Sequence, residues 1–153
     1  MKKQTILLII IVIVLIGFGI YKGSGLFLST VVAPVVMTPT VSYTNATSDN
    51  ISIQIPLPGD IVAKTITVMG KARGPWYFEA TFPILVLDAR GKVLVTSFAQ
   101  AQGDWMTTDF VPFVGQVIVP DSYTGKATII LKKDNPSDLR ENDASVSFLV
   151  TIR

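Results

Sequence analysis

The sequence predicts an all-β fold, an antiparallel sandwich that follows an apolar amino-terminal segment. Three observations carry that prediction. After residue 50 apolar residues recur with a period of two, which puts alternate side chains on one face of a strand. Clusters of Gly, Pro, Asp and Asn interrupt these runs at intervals of about ten residues. No stretch in that region repeats at the roughly 3.6-residue interval of a helix.

The elements follow in order. Residues 1–4 carry Lys2 and Lys3 and read as a basic cytoplasmic start. Residues 5–21 are a run dominated by Ile, Leu, Val, Gly and Phe. At ~1.5 Å per residue they give roughly 25 Å of helix, close to the lower limit for crossing a bilayer. A cleaved leader is the competing reading, but no small-x-small cleavage site closely follows the run, which favours an uncleaved signal anchor. The lysines then stay in the cytoplasm and the carboxy-terminal domain lies outside it, on the far side of the membrane. Residues 22–50 read as a juxtamembrane stalk and linker. Leu26–Met37 is too short for a second span and is broken by Pro34, and the stretch after it is rich in Thr, Ser, Asn and Pro.

Residues 51–153 hold the strands. Ile51, Ile53 and Ile55 alternate with polar residues, and Pro56–Asp60 turns the chain. Thr65–Gly70 alternates again with Ile66 and Val68 inward. Trp76–Leu87 reads as one long strand, in which Pro83 predicts an edge position or a bulge. Asp88–Gly91 is a hairpin turn and Val93–Gln100 its return strand. Trp105–Phe113 has aromatics at irregular spacing, Val117–Pro120 reads as a strand, and Asp121–Gly125 turns into the strand Ala127–Lys132. Val146, Phe148, Val150 and Ile152 line one side of the last strand. About seven or eight strands in about a hundred residues is the size of an immunoglobulin-like sandwich, and many of these have no cysteine pair.

Composition narrows the function. Residues 51–153 carry ten Lys or Arg against ten Asp or Glu, so the domain is neutral and the surplus of +2 belongs to the tail. That balance excludes a nucleic-acid surface. Cys and His both number 0, which removes disulfides, a lipoprotein thiol, thiol nucleophiles, Cys/His zinc sites and the commonest general base. A non-enzymatic module without a cofactor is expected.

Three constellations remain. Trp76 and Trp105, the 2 tryptophans of the chain, each sit beside a turn, near Arg73 and Asp104. They either stack on a sugar or peptide ring, with Arg73, Glu79 and Asp104 supplying polar contacts, or cap the core with their indoles. Glu79 is expected to pair with Arg73 or Lys71 across a strand rather than to join Glu141 as an acid–base pair. Asp134, Asn135, Asp138, Glu141, Asn142 and Asp143 offer oxygen donors of the kind calcium takes, the acids Asp134, Asp138, Glu141 and Asp143 foremost. Their spacing does not match an EF-hand, so a solvated loop bonded to its own backbone is the favoured reading and no metal is expected.

At Lys71-Ala-Arg-Gly, Trp76-Tyr-Phe-Glu-Ala-Thr-Phe-Pro, Gly103-Asp-Trp-Met, Asp109-Phe-Val-Pro-Phe, Lys133-Asp-Asn-Pro-Ser and Glu141-Asn-Asp-Ala-Ser-Val, the sequence resembles the immunoglobulin-like domain of bacterial spore germination, Gmad2. The resemblance spans about residues 51–153. It implies an extracytoplasmic sandwich, often tethered to the bacterial cytoplasmic membrane and joined to GerMN or other envelope modules, and it supplies no catalytic residue. Together these readings predict a membrane-anchored binding or assembly module of the cell envelope whose partner is an envelope protein or glycan. The alternative is a self-assembling subunit of a surface layer or filament, a homo-oligomer.

Overall fold

A computed structural model describes residues 39–153, and within them the chain is built from strands and short turns. The expected cytoplasmic start, the membrane span at 5–21 and the stalk as far as residue 38 lie outside the described residues. Among the described residues no helix is long and apolar enough to cross a membrane.

Nine strands run in the order β1 (Ser42–Thr44), β2 (Ile51–Ile55), β3 (Ile61–Val62), β4 (Thr65–Arg73), β5 (Thr81–Leu87), β6 (Val93–Ala101), β7 (Phe110–Ile118), β8 (Gly125–Lys132) and β9 (Ser145–Ile152). Their hydrogen-bonded order is β1-β9-β8-β5-β6-β7-β4-β2, with β3 added beside β9. The β2-β4-β7 part joins the larger β9-β8-β5-β6 part only through the pairs Ala99–Gly115, Gln100–Val114 and Ala101–Phe113. The sheet therefore folds over on itself at that link, and the two parts share one core. Phe82 of β5 meets Phe113 of β7 edge-on, with ring centroids 5.0 Å apart.

Alternation supplies that core. Val146, Phe148, Val150 and Ile152 are all buried, as are Ile66 and Val68, while their sequence neighbours face outward or sit at the margin. The Asp88–Gly91 hairpin forms as predicted. Gly91 takes φ +82°, and its N–H donates to the Asp88 carbonyl at 3.0 Å. The Asp88 carboxylate accepts the N–H groups of Arg90 and Lys92 at 2.8 and 2.9 Å. Those bonds, the one from Lys92 foremost, hold its pKa below the usual carboxylate value.

Several expectations need correction. The strands number nine because β1 and β3, of 3 and 2 residues, are too short to display an alternation. β1 lies inside the stretch read as linker, pairs with β9 through Ser42–Ser147 and Thr44–Ser145, and packs Val41 and Tyr43 on the core, so the domain begins before residue 51. β3 runs parallel to β9, so the sheet is not wholly antiparallel. Trp105–Phe113 and Val117–Pro120 are not separate elements, because Phe110–Ile118 is a single strand paired along its length with β4. Ile55 is 44% exposed rather than buried, because the β2–β4 register slips between Ile53 and Ile55 and turns its side chain away from the core.

The predicted strand at Trp76 is also divided. Gly74–Trp76 is a 3₁₀ turn, and a tight reversal over Phe78–Thr81 follows, with N–H to carbonyl bonds of 3.0 Å in both directions. Glu79 and Ala80 take φ 49° and 61°, the left-handed pair of a two-residue hairpin turn. Glu79 is exposed in this turn, so it holds no strand position opposite Lys71 or Arg73. Pro83 sits inside β5, neither at an edge nor at a bulge. It is tolerated there because the β8 ladder begins one residue later, at Ile84–Leu131.

Candidate functional site

Strand ends gather the loops at one end of the sandwich. Arg73 at the end of β4 faces Phe110 at the start of β7, and Lys132 at the end of β8 faces Ser145 at the start of β9. The connections before β2, after β4, before β7 and after β8 therefore meet. Two grooves lie among them.

The first groove has a volume of about 330 Å³. The β1–β2 loop gives it Asn45 and Asn50, and the end of β4 and its 3₁₀ turn give Arg73, Pro75 and Trp76. The β8–β9 loop adds Lys133, Glu141, Asn142 and Asp143. Two Asp/Glu and two Lys/Arg side chains face one small space, so its net charge is close to zero. The second groove, of about 460 Å³, is lined by Trp105, Met106, Tyr77 and the backbone of Gly74. Pro75 and Thr108 line both grooves, which makes the two neighbouring halves of one cleft.

Part of the lining is committed to holding the loops. The Arg73 guanidinium donates to the Asp49 carbonyl at 3.0 Å and to the Thr108 carbonyl at 3.3 Å, and it lies 4.1 Å from the centroid of the Phe110 ring. It ties two loops together while stacking on an aromatic face. Asn45 donates to the Asp143 carbonyl at 3.0 Å, and Asn50 accepts the Thr47 N–H at 2.9 Å. Asn135 donates to Leu139 and to the Asp143 carboxylate, at 2.8 and 2.9 Å. The β8–β9 loop is thus closed by its own side chains, the solvated-loop arrangement expected of it. Among the described residues no group of three acidic side chains is placed to hold a metal ion, and the Asp143 carboxylate accepts from Asn135.

The predicted contact residues separate into groups. Trp76 is 3% exposed and meets Phe82 edge-to-face at 6.4 Å, so it belongs to the core and presents only a margin to the first groove. Its indole N–H has no acceptor among the described residues. Trp105 is half-buried and lines the second groove, and Arg73 lines the first. Asp104 and Glu79 line neither. The Asp104 carboxylate accepts the Met106 N–H at 3.0 Å and shapes its own loop. Asn45, Asn50 and Lys133 were not anticipated as contacts, and Glu141 and Asn142 were considered only as calcium donors, Glu141 also as an acid. They come from two loops distant in the chain, and although Lys133, Glu141 and Asn142 fall in the motifs that carry the family resemblance, nothing local shows that they converge on one groove.

Tyr77 supports the site from below. Its hydroxyl donates to the Val111 carbonyl at 2.8 Å, and burial pushes its pKa up to about 12. A folded-state pKa above the unfolded value near 10 stabilises the fold fully below pH 10. That contribution is lost as pH rises from about 10 toward about 12. Chemical denaturation between pH 9 and 12 is expected to show stability falling over that window. The fall should be smaller in Tyr77→Phe, and an equal slope in the variant would assign the alkaline loss to other groups.

The family model of the immunoglobulin-like domain of bacterial spore germination, Gmad2, matches residues 50–139. The chain belongs to the Gmad2 family. The matched part of the Gmad2 domain takes in β2 to β8 and contains Arg73, Trp76, Trp105 and Lys133 of the cleft, while β1 and β9 fall outside it. No curated protein and no solved structure matches the chain.

Proposed function

We propose that this Gmad2 protein is a membrane-anchored, extracytoplasmic binding module of the bacterial cell envelope, without catalytic activity, and that its loop-end cleft is the contact surface. The observation that carries the reading is the cleft itself. Four loops are cross-bonded into a fixed rim that leaves Lys133, Glu141 and the Trp105 ring facing solvent space. Pockets of this kind, of ~300–1,000 Å³ with a few fixed polar groups, suit ligand recognition. The apolar run at residues 5–21 and the basic start support the anchor and its orientation.

Cell fractionation with protease digestion of wall-stripped cells tests this placement. The full chain is expected in the membrane fraction, with the sandwich digested from outside and a small amino-terminal remnant left behind. A sandwich protected until the cells are lysed would place it in the cytoplasm and sink the reading.

One observation favours lateral assembly as a second reading. The outer face of β9-β8-β5-β6 carries Leu149, Ile130, Leu85, Leu87 and Phe98, with Leu149 51% and Phe98 58% exposed. Charge reaches this face only at Lys126 and Lys132, the two ends of β8. A structural subunit using it runs as an oligomer in detergent and reverts to a monomer with Leu85→Arg. A monomer at every concentration leaves the binding module alone.

A further inference from the structure

We infer that the cleft takes an extended, uncharged glycan, with one sugar laid against Trp105, Met106 and Pro75 and the next hydrogen-bonded among Asn50, Lys133 and Glu141. The inference rests on the binding reading above and adds the class of ligand.

Charge is the first argument. Arg73 and Lys133 face Glu141 and Asp143 in the first groove, so a strongly anionic or cationic polymer meets as much repulsion as attraction there. Hydroxyl groups both donate and accept, and they match a lining that mixes amides, an ammonium and a carboxylate. Among the described residues the side-chain hydrogen bonds include none from the Lys133 ammonium or to the Glu141 carboxylate.

The second argument is the indole N–H of Trp76. It belongs to a residue that is 3% exposed, lines the groove and has no acceptor among the described residues. A buried donor left unpaired costs on the order of 1–3 kcal/mol; the nitrogen itself has almost no accessible surface, so a ligand oxygen removes that cost only where the groove margin opens to it.

Shape gives the third. The second groove sets Met106, 77% exposed, beside a half-buried Trp105. A flat aromatic next to a polar pocket fits the pyranose ring, which has an apolar C–H face and a polar rim. An extended peptide recognised through its backbone needs a free strand edge, whereas this cleft is made of loops and turns.

Both tryptophans of the chain line the cleft, so intrinsic fluorescence reads the site without a label. The experiment titrates the full-length protein, held in a detergent without a sugar headgroup, with neutral tetrasaccharides of glucose, mannose and N-acetylglucosamine. The parallel arms use an uncharged extended tetrapeptide and heparin. At least one tetrasaccharide is expected to change the fluorescence and to bind more tightly than its disaccharide, because only the longer chain spans both grooves. Met106→Ala and Lys133→Ala, at surface positions that leave the core intact, are each expected to weaken it about fivefold. Trp105→Ala should weaken it further. Saccharide binding that ignores all three substitutions overturns the location. A response to the peptide or to heparin, with none to any saccharide, overturns the glycan and leaves the cleft as a binding site. No response in any arm overturns the cleft reading as well.

Discussion

Phe82→Ala is expected to lower the stability of the sandwich by about 3–5 kcal/mol, the range for emptying an aromatic site in a closed core. Phe82 is fully buried and lies between Phe113, Tyr77 and Trp76, with ring centroids at 5.0, 5.3 and 6.4 Å. It is the contact through which β5 touches both β7 and the 3₁₀ turn under the cleft. Truncation leaves three aromatic rings facing a void that β-sheet backbone on both sides cannot close. Urea denaturation measures the effect. With a slope of ~1–3 kcal/mol per molar, the midpoint should fall by more than about 1 M. A loss under about 1 kcal/mol would mean that the rings repack and that Phe82 is not the centre of this core.

Gly74→Ala is expected to cost about 2–4 kcal/mol and to deform the cleft as well. A methyl group on Gly74 would overlap the carbonyl oxygens of Thr107 and Trp105, and neither can swing aside as a side-chain end could. To admit it, the turn after β4 must part from the loop before β7. That movement breaks the 3.2 Å bond from the Gly74 N–H to the Asp109 carbonyl and separates Pro75 from Thr108, the residues the two grooves share. Gly103→Ala is the matched control. The nearest atom to its added methyl group is a Val111 carbon at 3.8 Å, an ordinary contact, so its effect should stay within about 0.5 kcal/mol. Equal melting temperatures for the two variants would show that the close approach at Gly74 does not constrain the loop end.

The two substitutions act on neighbouring parts of the same assembly and should not add. Phe82 supports Trp76 and Tyr77 from within, while Gly74 lets the turn that carries them lie against the opposite loop. A double variant should lose less than the sum of the singles, because once the turn has lifted away the aromatic contacts are already weakened.

Local chemistry made much of the sheet legible from sequence. The alternation at Ile66 and Val68, or from Val146 to Ile152, is a property of consecutive residues, and a strand preserves it wherever it lies. The Asp88–Gly91 turn is equally local, since its hydrogen bonds join residues within four positions of one another. The absence of Cys and His and the even charge of the domain likewise narrowed the function without any coordinates.

Other features had no local signature. The reversal at Phe78–Thr81 uses Glu79 and Ala80 where Asn-Gly would announce such a turn, so an apparently continuous strand is broken and Glu79 leaves the place expected of it. β1 pairs only because β9, about a hundred residues on, offers it an edge.

By itself the sequence determined the β architecture, the main core faces, the apolar run at residues 5–21 and the family, because each is written in neighbouring residues or short motifs. The tertiary structure alone decided which tryptophan is core and which faces the cleft, and it assembled Asn50, Arg73, Lys133 and Glu141 around one groove. Side chains on separate loops converge through sheet pairing and packing, and those long-range contacts leave no period in the chain to read.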